Sequence, residues 1–95
     1  MKPKEMLAEL ESAAQSLDVK VSYESIASTV MRGGLCKVKG QYRVIIDKRL
    51  TPEERANTLA ESIARFAWTS LTIAASTRSL LSYYAQRQGH LAQAS

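Results

Sequence analysis

Apolar positions recur along this chain with two different periods, and the switches between them mark its elements. Over residues 3–17, Leu7, Leu10, Ala14 and Leu17 return at helical spacing, with Met6 and Ala13 widening the stripe. Lys4, Glu5, Glu9, Glu11 and Gln15 cover the wet side, and Pro3 suits a first-turn position, where no amide hydrogen is needed. Asp18 breaks the pattern. Residues 19–23 then alternate, with Val19, Val21 and Tyr23 inward between Lys20 and Ser22, the period of a half-buried strand. Residues 24–33 are ambiguous: Ile26, Val30 and Met31 fit either a short helix or a second extended segment. Gly33-Gly34 punctuates the chain.

A β-hairpin is expected over residues 35–47, its strands flanking Gly40. Setting Cys36, Val38, Tyr42, Val44 and Ile46 on one face requires an odd-length loop, most simply Lys39-Gly40-Gln41. That register brings Lys37 directly across from Arg43 on the other face, where the two cations repel unless an anion or acidic group lies near.

Thr51-Pro52-Glu53-Glu54 is the sharpest local signal. A threonine N-cap, a proline at the first helical position and a glutamate at the third form a capping box, and both acids suit the positive end of the helix dipole. The helix is expected over residues 52–67, burying Ala56, Leu59, Ala60, Ile63, Phe66 and Ala67. The β-branched run that follows Trp68 ends it. Ser76 can cap a last helix over residues 76–88, with Leu80, Leu81, Tyr84 and Ala85 inward and Gly89 as its stop. The expected fold class is therefore α+β. An N-terminal helix, a small, mainly antiparallel sheet and two further helices form one domain over residues 1–89, and residues 90–95 form a flexible tail.

Composition narrows the classes of function. A chain of 95 residues sits near the lower end of what one core can stabilise. The single Cys36 can form no internal disulfide, and its place in an apolar strand reads as a buried, inert thiol. The N-terminal stretch is a polar helix start rather than a signal peptide, and no apolar run approaches the roughly 18 residues of a membrane span. A cytoplasmic protein with no membrane contact is expected. The net charge of +4 is concentrated in residues 25–49, where Arg32, Lys37, Lys39, Arg43, Lys48 and Arg49 face only one acid, Asp47. Such a surface can contact nucleic acid or another anion, or it can be the solvated, lysine-protected face of a hairpin.

Residues 33–66 read GGLCKVKGQYRVIIDKRLTPEERANTLAESIARF. The hairpin ending in an IID strand, the KRL bridge, the TPEER helix start and the LAESIARF segment resemble, in order and spacing, the small gluzincin-type metallopeptidases of the ImmA/IrrE group. In that group the helix carries HExxH. The resemblance implies a zincin-like scaffold, covers about a third of the chain, and places the metal motif at Ala60-Glu61-Ser62-Ile63-Ala64. Zinc needs two imidazoles one turn apart on one helix face, with the glutamate as general base. Ala60 and Ala64 have no donor atoms, no acid follows Glu61, and the one histidine, His90, falls in the expected tail. No catalytic residue, metal or other cofactor is expected.

The function expected from the sequence is a non-catalytic protein-interaction module on a degenerate zincin-like scaffold, with a protein partner that includes a second copy of itself. Trp68, Leu71, Ile73, Tyr83 and Tyr84 supply apolar and aromatic groups for an interface, and ordinary core is the competing reading of each. The alternative is nucleic-acid binding through the basic hairpin.

Overall fold

A computed structural model describes residues 1–25 and 33–94. The positions Ile26, Val30, Met31 and Arg32 lie outside the described residues. The elements are α1 (Pro3–Ser16), β1 (Lys20–Glu24), β2 (Gly33–Val38), β3 (Gln41–Asp47), α2 (Pro52–Ile63) and α3 (Ala75–Ala94). The expected α+β class holds. The sheet itself is mixed rather than mainly antiparallel. Its order is β1-β3-β2, with β1 parallel to β3 and β2 antiparallel to it.

The hairpin closes differently from expectation. Val38 pairs with Gln41, Lys37 with Tyr42, Cys36 with Arg43 and Leu35 with Val44, so the loop is the two residues Lys39 and Gly40. Both have positive φ, 52° and 81°. That conformation matches the strand twist best in a two-residue hairpin, and Gly40 adopts it without a Cβ penalty. The shift of parity turns Cys36 and Val38 away from the core and turns Leu35 toward it. Lys37 then shares a face with Tyr42, and its ammonium lies 5.0 Å from the centre of that ring. Arg43 then shares a face with Cys36 and Val38, and that face is the one turned away from the core.

The helices cover one face of the sheet. Leu10 of α1, Leu59 and Ile63 of α2, Leu81 of α3 and Val44 and Ile46 of β3 are fully buried together. Ala13 and Ala14 of α1, with Ala56 and Ala60 of α2, are buried too. Small side chains on both helices permit the close α1–α2 approach.

The box at Thr51 forms as expected. Glu54 N donates to Thr51 Oγ1 at 3.2 Å, and Thr51 N donates to Glu54 Oε1 at 2.9 Å. The far end of α2 is shorter than expected. After Ile63 the chain tightens through Arg65 N to Ser62 O and Phe66 N to Ile63 O, bonds of the three-residue kind that close a helix. Ser76 is not the cap of α3. Ala74 precedes its first residue, and its amide donates to both Glu9 carboxylate oxygens at 3.1 Å. An acid of α1 thus sits at the positive end of α3. Arg78 secures the connecting loop by donating to Thr69 O at 3.2 Å and Leu71 O at 2.7 Å. At its C-terminal end α3 passes through Gly89 rather than stopping there and runs to Ala94.

Candidate interaction surface

The three positions of the zinc-motif resemblance do not converge on an open site. Ala60 is fully buried, Ala64 is the half-buried C-cap beyond the last helical residue, and Glu61 is exposed. Among the described residues, no group of three or more histidine, cysteine, aspartate or glutamate side chains is placed to hold a metal ion.

The aromatic and apolar residues read as an interface divide in the structure. Trp68 is only 6 % exposed, lies beneath the Arg78 guanidinium and belongs to the core. Leu71, Ile73 and Tyr84 are half-buried against that core. Burial, then the neighbouring Glu61 charge, pushes the Tyr84 hydroxyl above its ordinary pKa. Tyr83 alone stands open, at 52 % exposure, with its hydroxyl accepting from Arg87 Nη1 at 2.9 Å. The run after Trp68 fastens the α2–α3 connection and presents no continuous apolar patch.

The basic residues separate as well. Lys37, Lys39 and Arg43 lie toward the hairpin tip, Lys37 and Arg43 on opposite faces, whereas Lys48 and Arg49 follow the opposite end of β3. The 7 residues of that strand set the groups roughly 20 Å apart. Arg49 is committed to Asp47, with Nη2 at 2.6 Å from Oδ2 and Nε at 3.0 Å from Oδ1. These bonds, joined by the Arg49 backbone amide on Oδ1, lower the Asp47 pKa to about 2. Arg55 secures the same junction by donating to Leu50 O at 3.0 Å and to Lys48 O. Its guanidinium also lies 5.0 Å from the centre of the Tyr23 ring. The Tyr23 hydroxyl donates to Glu11, and burial followed by that bond raises its pKa well above the ordinary phenol value. The far end of β3 is therefore a structural junction, and Arg32 lies outside the described residues.

At the tip, the Tyr42 ring is 39 % exposed and meets Phe66 edge-on at 5.1 Å. The outer sheet face extends from there. Alternation and register put Lys20, Ser22, Arg43, Ile45, Cys36 and Val38 on the side away from the helices. The apolar members of this set, Ile45, Cys36 and Val38, are not among the residues packed against the core, and Val38 is 49 % exposed. Cys36 is partly exposed there rather than buried. Because β3 is central, β1 and β2 are both edge strands, each pairing on one side only among the described residues.

A groove of about 510 Å³ follows β1 along its length, with Glu11 and Gln15 of α1 on one wall and Lys20, Ser22 and Arg43 among its other lining residues. A larger open cleft, about 820 Å³, lies between the starts of α1 and α2 around Lys4, Glu5 and Glu53. Lys20, Ser22 and Gln15 were not singled out from the sequence. The alternation over residues 19–23 places Lys20 outward, but only the parallel pairing of β1 with β3 brings it beside Arg43. No family model, curated protein or solved structure matches the chain.

Proposed function

We propose that this protein is a non-catalytic protein-interaction module that binds through the open side of its sheet, on a scaffold resembling a zincin domain without its ligands. The observation that carries this reading is the one-sided covering of a three-stranded sheet: helices fill one face, while the other face and both outer edges are left without a partner among the described residues. A strand edge is a ready template for another chain, because its outward amides and carbonyls lack partners. Lys37, exposed on β2, guards that edge against indiscriminate pairing. Self-association is the simplest form of such binding. Sedimentation velocity over a wide concentration range tests it: a concentration-dependent shift toward a dimer is expected, and a strict monomer at every concentration would leave only a different protein as partner.

A second reading rests on the hairpin tip. The exposed Tyr42 ring with Lys37 over it, and Lys39 in the adjoining turn, pairs a stacking face with phosphate-binding cations. Binding of single-stranded nucleic acid there would weaken steeply with salt, by about 0.7 power of salt concentration per phosphate neutralised. A gel-shift titration at low salt with no bound species would eliminate it.

A further inference from the structure

We propose that the groove along β1 receives an extended peptide carrying a single acidic side chain, which adds as a fourth strand and places its carboxylate on Arg43. This deepens the protein-interaction reading and rests on it. Three features of the groove converge on that occupant.

The first is backbone geometry. β1 is an edge strand, and every residue from Val19 to Tyr23 lines the groove. A strand paired on one side turns alternate amides and carbonyls outward, and an extended peptide meets them with main-chain hydrogen bonds. Gln15 and Glu11 of α1 form the opposite wall, giving a channel between strand and helix rather than a flat edge.

The second is an unsatisfied donor. Arg43 Nε is shut away from solvent and has no hydrogen-bond partner among the described residues. A buried donor on a charged group without an acceptor is uncommon in native structures and points to a missing partner. Lys20 and Arg43 are also direct neighbours across the β1–β3 pair, where like charges repel. One carboxylate reaching over Lys20 from the added strand satisfies the donor and relieves the repulsion together.

The third is the sorting of charge, which favours a peptide over a polyanion. The lining holds two cations, Lys20 and Arg43, and two acids, Glu11 and Asp18. Glu11 is held by the Tyr23 hydroxyl, and Asp18 lies at the α1 end of the groove. A nucleic-acid backbone following β1 would run against both acids. A peptide with one acid can centre it on Arg43 and keep neutral residues near Asp18. The Ser22 hydroxyl donates to Glu24 Oε2 at 3.0 Å, which keeps that further acid directed along the strand.

The test is an amide and arginine Nε–H NMR titration of the intact protein. The probe is a capped, threonine-rich peptide of about eight residues with one central glutamate, beside a twin with glutamine in its place. Shift changes are expected along residues 19–24 and at the Arg43 Nε–H, with about tenfold tighter binding of the glutamate peptide. Arg43→Lys, which keeps the charge but removes the Nε donor, should abolish that preference, whereas Lys39→Gln should leave it unchanged. Should Arg43→Lys fail to fold, Lys20→Met should still reduce the preference about threefold. Equal affinity for the two peptides overturns the proposal. So does a matching Arg43 shift with inorganic phosphate alone, which would make this a small-anion site. Shifts confined to β2 or the hairpin tip would sink the β1 site while leaving the interaction module standing. Absence of all peptide binding together with a strict monomer would remove both.

Discussion

The two faces of the sheet are built from the same three strands and do different work. On the covered face, Val44 and Ile46 are fully buried, and Val21, Tyr23 and Leu35 pack around them under the helices. On the open face, one residue away along each strand, Lys20, Ser22, Arg43, Ile45, Cys36 and Val38 point away from the core. Apolar burial is concentrated on the first face and exposure on the second. A one-residue slip would exchange them, so the turn at Lys39 and Gly40 decides which residues serve which purpose.

That division is broken most forcefully from inside. Replacing Ile46 with alanine should cost about 2–5 kcal/mol, because the covered face cannot fully collapse around the lost methylenes. Chemical denaturation measures it. Ala60→Leu should cost about 1–3 kcal/mol by overpacking the α2 face that meets the core, and an unchanged melting temperature would count against that burial. Thr51→Ala removes the side-chain acceptor for the Glu54 amide and should cost about 1 kcal/mol. On the open face, Ile45→Thr should stay within about 0.5 kcal/mol. A loss there as large as that of Ile46→Ala would show the two faces to be equally covered.

The smallest expected effect is a pH dependence at the far end of β3. The Asp47 pKa in the folded protein is lowered to about 2 from an ordinary 3.8. Its contribution to stability is therefore present above the ordinary carboxylate range and is lost as pH falls toward 2. Acid titration of unfolding should show this loss in the native protein and not in Asp47→Asn. An identical acid limb in both would mean that the Arg49 pairing adds nothing to folding.

What could be read from the sequence divides along the same physical line. Thr51, Pro52 and Glu54 are within four positions of one another, so the cap of α2 is a local event, and it appears as read. The cap of α3 is not local: Glu9 reaches Ala74 across 65 positions, and only tertiary packing brings them together. The nearby Ser76 was a plausible cap on local grounds and is not the one used. Hairpin register failed for a related reason. Grouping Cys36 and Val38 with Tyr42, Val44 and Ile46 on one apolar face demanded an odd-length loop, whereas the positive-φ pair Lys39 and Gly40 closes the hairpin and leaves Cys36 and Val38 off the core. For the candidate surface, Arg43 and Lys20 are each legible as outward cations. Their adjacency is not, because parallel pairing between segments more than twenty positions apart leaves no local mark.

The most direct measurement of whether the sheet has an open side is amide hydrogen exchange in the monomeric protein. The amides of residues 43–46 of β3, flanked by β1 and β2, should exchange slowly. Along β1 every second amide should exchange at nearly the rate of an unfolded chain, because alternate groups point away from β3. Continuous protection along residues 20–24 in the absence of any partner would contradict the open edge and, with it, the surface through which this domain is proposed to bind.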